Sequence, residues 1–183
     1  MNWDDITRQL TQATIAAVDD LLRELDGERL YALALVTDDD WNGASLAANT
    51  EEWFAARLAA ETEPDEDMHP NMTGWYRWGV GEWRNENYSW DLFKPVCDLL
   101  WDYEGPTRVE LGEAMTVALE HLRRERAEAL AGITLFITLT DSDDAEAVEN
   151  ASAMRLNPPP LLDAFLARYA SALNDAQSMP EGD

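Results

Sequence analysis

Two segments far apart in the chain, RLYALALVT at residues 29–37 and ITLFITLT at residues 133–140, are apolar on both of the faces a strand presents. Successive side chains of a strand point to opposite sides, so a run without polar alternation needs cover above and below and belongs in the interior of a sheet. Each run ends in acid. The first leads into Asp38, Asp39, Asp40 and Trp41, the second into Asp141, Ser142, Asp143 and Asp144.

The remaining sequence supplies helices to cover such a sheet. In residues 4–26, Ile6, Leu10, Ala13, Ala17 and Leu21 recur at intervals of four, three, four and four, which predicts an amphipathic helix that Gly27 ends. Asn42 and Gly43 mark a turn, residues 44–48 read as a short edge strand, and Thr50 caps a helix reaching about residue 60. Residues 61–73 hold two prolines and five acids without periodicity, the composition of a surface loop. Alternating bulky residues predict a strand over 73–78, broken by Gly79 and Gly81. A helix follows through Trp90, Phe93, Val96 and Leu100, with its regular part starting near Lys94 because Pro95 interrupts the backbone bonding. Leu111, Met115, Ala118 and Leu122 predict a long helix over 107–130, and two more helices are expected over 144–156 and 161–173. The expected fold class is α+β: a small central sheet covered by several helices, one domain over residues 1–173, and a flexible tail over 174–183.

Charge narrows the functional classes. Thirteen Lys and Arg stand against 37 Asp and Glu, a net charge of −24, which repels nucleic acid and anionic membrane surfaces and attracts a basic protein partner. Lys94 is the only lysine, and acid-rich, lysine-poor chains also arise from genome composition or life in high salt. No run of 18 apolar residues is present, so neither a membrane span nor a signal peptide is expected and the chain reads as cytoplasmic. A lone cysteine, Cys97, allows no internal disulfide and no multi-cysteine zinc site.

Familiar catalytic machinery is missing. His69 and His121 lack partners at metal-ligand spacing, Cys97 sits among apolar residues, and neither a nucleophile elbow nor a phosphate or dinucleotide loop occurs, so no cofactor is implied. The aspartate runs remain. If the two buried strands are parallel neighbours, residues 38–40 and 141–144 converge at one end of the sheet, where ligands of α/β folds bind and where a hard cation finds oxygen ligands. The same residues also serve as turn formers, with Asp143 as a helix cap.

Five of the eight tryptophans lie between residues 75 and 101, and within this stretch Arg77, Trp78, Glu82 and Trp83 form an Arg-Trp-x-x-x-Glu-Trp pattern. Either the indoles fill the core while the Arg77 and Glu82 charges satisfy each other, or their exposed edges join Trp41 as anchors of a recognition surface.

The order LYALALVTDDD, AANTEEW, RWGVGEW, ITLTDSDD and RLNP resembles the bacterial family known as domain of unknown function 4303, over about residues 4–173. RWGVGEW (77–83) and AANTEE (47–52) carry the resemblance most specifically. It implies one domain and contributes no catalytic residue. Small acidic proteins of comparable build are also similar to the immunity proteins that accompany bacterial polymorphic toxins. The functional expectation is a non-enzymatic, immunity-like inhibitor of a basic toxin, for instance a nuclease, with Asp38, Asp39, Asp40, Asp141, Asp143 and Asp144 supplying the charge. The alternatives are a metal-dependent hydrolase using the aspartates at the strand ends, and a housekeeping protein whose acidity is solvent adaptation.

Overall fold

The two apolar runs lie side by side. In the computed structural model, which describes residues 1–60 and 72–169, Leu30–Asp38 and Thr134–Thr140 pair in parallel from Ala32 opposite Thr134 to Asp38 opposite Thr140. The described chain runs α1 (Trp3–Glu24), β1 (Leu30–Asp38), β2 (Ser45–Thr50), α2 (Glu51–Ala60) and α3 (Met72–Trp78). After a 3-10 turn (Val80–Glu82) come β3 (Asn85–Tyr88), α4 (Trp90–Trp101), α5 (Arg108–Glu125), β4 (Thr134–Thr140), α6 (Ala145–Leu156) and α7 (Pro159–Leu166). One mixed sheet of order β3-β2-β1-β4 results, antiparallel except for β1–β4, and the fold is a single α+β domain. No described helix is long and apolar enough to cross a membrane.

Side-chain size decides what covers each face. On one side Leu33, Leu35, Leu46, Leu135 and Ile137 meet the apolar stripes of α1, α4 and α5, and the predicted Ile6, Leu10, Ala13, Ala17 and Leu21 of α1 are all buried. On the other side β1 and β2 present Ala32, Ala34 and Ala47, and large rings fill the space above these small residues. Trp78 meets Phe165 edge-on with ring centroids 5.0 Å apart, and Trp83 meets Phe136 at 5.8 Å. Such pairs contribute about 0.5–1.5 kcal/mol each beyond the area they bury.

Several expectations need correction. Residues 73–78 are helical, not a strand, and Gly79 N–H donates to the Trp75 carbonyl at 2.7 Å at the helix end. β2 is not an edge strand, because β3, which the sequence did not announce, pairs along its outer side. α4 runs through Pro95 rather than starting near it; Asp91, whose carbonyl loses its partner, and Pro95 are both exposed, so water can satisfy that group. α5 ends at Glu125 rather than near residue 130, where Arg123 turns back to donate to the carbonyls of Leu130 and Ile133. α7 is shorter than expected, ending at Leu166. The loop expected over 61–71 and the tail expected over 174–183 lie outside the described residues, as does the last part of the helix expected to reach residue 173.

β4 is an edge strand whose outer side is covered by side chains. Ile137 N–H donates to Ser152 Oγ at 2.9 Å, and Leu135 N–H donates to Asn157 Oδ1 at 2.8 Å. The Asn157 amide nitrogen donates in return to the Leu135 carbonyl at 2.6 Å, so one side chain mimics a neighbouring strand. Asn157→Ala would leave the Leu135 N–H and carbonyl without these partners and remove one acceptor of Arg123, which keeps the Ile133 carbonyl. It is expected to cost about 2 kcal/mol or more in urea unfolding and to speed amide exchange at Leu135; a loss below about 0.5 kcal/mol would contradict this account of the edge.

Candidate functional site

The parallel register brings both acid runs to the same end of the sheet. Asp38 stands opposite Thr140, and Asp141 follows directly. Trp41 and Asp141 have φ of 54°, a left-handed turn at each strand end. Between them, Trp41 N–H donates to the Asp38 carbonyl at 3.1 Å and Asn42 N–H to Asp38 Oδ1 at 3.2 Å. Trp41 is thereby turned inward and buried against Gly112, where a Cβ would stand 3.2 Å from the ring.

Beside this turn a cleft of about 520 Å³ opens between the strand ends, β3 and α4. Asp38 and Asp141 come from the strand ends, Glu86 from β3 and Asp98 from α4. Asp98 is held by Lys94 at 2.6 Å, whereas Asp38, Glu86 and Asp141 carry no ion pair among the described residues. Trp90 and Trp101, on the helix face they share with Lys94 and Asp98, also line it and are 44 % and 74 % exposed. Cys97 lies deeper. Its thiol is pushed up in pKa chiefly by burial and donates to the Ala44 carbonyl at 3.3 Å, the setting of an unreactive thiol. No group of three or more His, Cys, Asp or Glu arranged to hold a metal ion is found among the described residues.

The other predicted aspartates are placed differently. Asp39, Asp40 and Asp143 are exposed and do not line the cleft, while Asp144 is paired with Arg108 at 2.6 Å. Asp144, not Asp143, occupies the cap position of α6, and its side chain caps nothing. Trp41, Trp78 and Trp83 are buried, so their expected role as exposed anchors is corrected: the exposed indoles at this end are Trp90 and Trp101. Sequence reasoning missed these two, Glu86 and Thr37. The spacing of Trp90, Lys94, Asp98 and Trp101 was the available signal; nothing marked Thr37, the last apolar-run residue before the acids.

Arg77 and Glu82 do not satisfy each other. Arg77 makes a two-pronged pair with Glu51, at 2.9 and 2.7 Å, and Glu82 meets Arg57 at 3.3 Å. The Arg77 guanidinium lies 4.2 Å from the Tyr31 ring centre, while its carbonyl accepts from the Tyr31 hydroxyl and from Trp83 Nε1. Asn49 donates to the same hydroxyl at 3.0 Å, and the Thr50 hydroxyl caps α2 by accepting from Trp53 N–H at 3.1 Å. The AANTEE and RWGVGEW segments thus brace each other across Tyr31.

Arg77, hydrogen-bonded to Glu51, holds the Glu51 carboxyl below its ordinary pKa, against the opposing effect of burial. A depressed folded-state value means stability that is complete above the unfolded value of about 4.3 and lost as pH falls through the folded one. Glu51→Gln is therefore expected to lose about 1–3 kcal/mol at pH 7 in chemical unfolding, with the gap to the parent closing below about pH 4. A gap that persists unchanged into that range would exclude the ion pair as its source.

No curated protein and no solved structure matches the chain. The family model described as Domain of unknown function (DUF4303) matches residues 10–158, most of the length, and the chain belongs to that family.

Proposed function

We propose that this protein is a non-enzymatic binding protein, an immunity-like inhibitor that holds a basic toxin, for instance a nuclease, by laying carboxylates against its cationic substrate cleft. The observation that carries the reading is the distribution of charge. Arginines are committed to bracing the fold: Arg77 to Glu51, Arg84 to Glu28, Arg126 to Asp19, and Arg155 to Glu113 and Glu120. Among the carboxylates without such partners, Asp38, Glu86 and Asp141 share a cleft at the end of the parallel strands, and Asp39, Asp40 and Asp143 lie exposed nearby in sequence. A net charge of −24 with a locally unpaired cluster steers a cationic protein and speeds its encounter, an effect that salt screens. The exposed Trp90 and Trp101 beside that cluster have the residue type that dominates binding hot spots.

The test is a search of the neighbouring genes for a basic toxin and co-expression of that toxin with this chain, together with kinetics of the purified pair. Asp38→Lys with Asp141→Lys should abolish protection and cut the association rate about tenfold or more at low salt, with a much smaller difference at about 1 M salt. Undiminished protection by that double variant, or turnover of a substrate by the purified protein, sinks the proposal.

A further inference from the structure

We propose that the cleft at the strand ends is a receptor for a guanidinium group, the arginine side chain of a basic partner; the identity of that partner rests on the binding reading above. Three features of the cleft converge on this chemistry.

The first is an unsatisfied group. Thr37, 4 % exposed, lines the cleft, and its Oγ1 is buried with no hydrogen-bond partner. Buried hydroxyls in native proteins are nearly always partnered, so an orphan at the wall of an open cleft marks a position for a donor from outside. The second is charge. Asp38, Glu86 and Asp141 line the same space without ion pairs among the described residues, and no Lys or Arg is among the lining residues. That excludes an anionic ligand and leaves acceptors for several N–H groups at once.

The third is shape. Trp90 and Trp101 offer exposed indoles at the cleft, and a guanidinium is flat, weakly hydrated and able to stack on an indole while its edge donates to carboxylates in pairs. An ammonium is compact and strongly hydrated, and uses flat walls less well. The volume, about 520 Å³, falls in the range of ligand pockets and exceeds what one side chain needs, leaving room for the backbone that carries it.

The probe is N-acetyl-arginine methylamide titrated into the intact protein, followed by the indole N–H resonances of Trp90 and Trp101 and by calorimetry. A saturable shift of at least one of the two indoles is expected, since they stand eleven residues apart on α4 and one guanidinium stacks on one ring. Thr37→Val and Asp141→Asn should each weaken binding about tenfold. Thr37→Val should melt no lower than the parent, since the hydroxyl it removes bonds to nothing, so loss of binding cannot be blamed on loss of fold. The assignment is overturned by the absence of saturable shifts, by unchanged affinity in Thr37→Val, or by equal affinity for N-acetyl-lysine methylamide. If the arginine compound binds as described but no toxin is inhibited, the inhibitor reading falls and the cleft assignment stands; inhibition without arginine binding overturns the cleft assignment alone.

Discussion

The parallel contact between β1 and β4 is the constraint on which the rest of this architecture depends. Two strands that hide both faces can pair in parallel only if other elements cover them on each side and if the connection between them crosses over. Here that crossover carries β2, three helices and the 3-10 turn, β3 and α5, so the same segment that must span the distance also contributes to both covering layers, which α1 completes on one side and α6 and α7 on the other. Parallel direction has a second consequence that antiparallel pairing would not. It puts the C-terminal ends of both strands, and with them Asp38 and Asp141, at one edge of the sheet.

Arginine, rather than lysine, holds the covering layers in place. A guanidinium can pair with a carboxylate in two-pronged fashion and lie on an aromatic ring at the same time, and Arg77 does both, toward Glu51 and toward Tyr31. Arg168 does the same deeper in the molecule, stacking 4.0 Å from the Phe165 ring centre and donating to Glu149 at 2.9 Å. Burial outweighs that pairing at Glu149, whose carboxyl is pushed above the ordinary range, opposite to the depressed Glu51. The two pairs therefore respond to acid with opposite sign: falling pH removes the support from Glu51 and relieves the desolvated charge at Glu149.

The sheet centre and the amphipathic helices were legible because burial imposes a period on the sequence. Leu33 and Leu35 in one strand, and Ile6 through Leu21 in α1, have their neighbours dictated by repeat alone. β3 was not legible, because NENY has no apolar alternation and is held as a strand only by its pairing with β2. The helix at 72–78 was misread for the related reason that alternation of bulky residues matches a strand as well as a short helix. At the site, convergence of the aspartate runs followed from a single conditional, parallel neighbours. Which acids face the cleft did not follow, because a turn such as the one at Asp38 to Trp41 sends successive side chains in directions no period describes.

At the cleft the Thr37 hydroxyl has no hydrogen-bond partner and Asp38, Glu86 and Asp141 have no ion pair among the described residues, in contrast to Asp19, Glu28, Glu51 and Glu113, which are held below their ordinary pKa chiefly by hydrogen bonds from arginine or threonine. Folded chains satisfy their polar groups nearly everywhere, and local exceptions fall at functional sites, where the missing partner comes from a ligand. A cation entering the cleft would bind the native state alone, so it would stabilise the fold by an amount that grows with its concentration relative to its Kd. On the proposed reading, the basic partner supplies positive charge to Asp38, Glu86 and Asp141 at the end of the sheet that the parallel register creates, where Lys94 pairs with Asp98 and Arg108 with Asp144 instead.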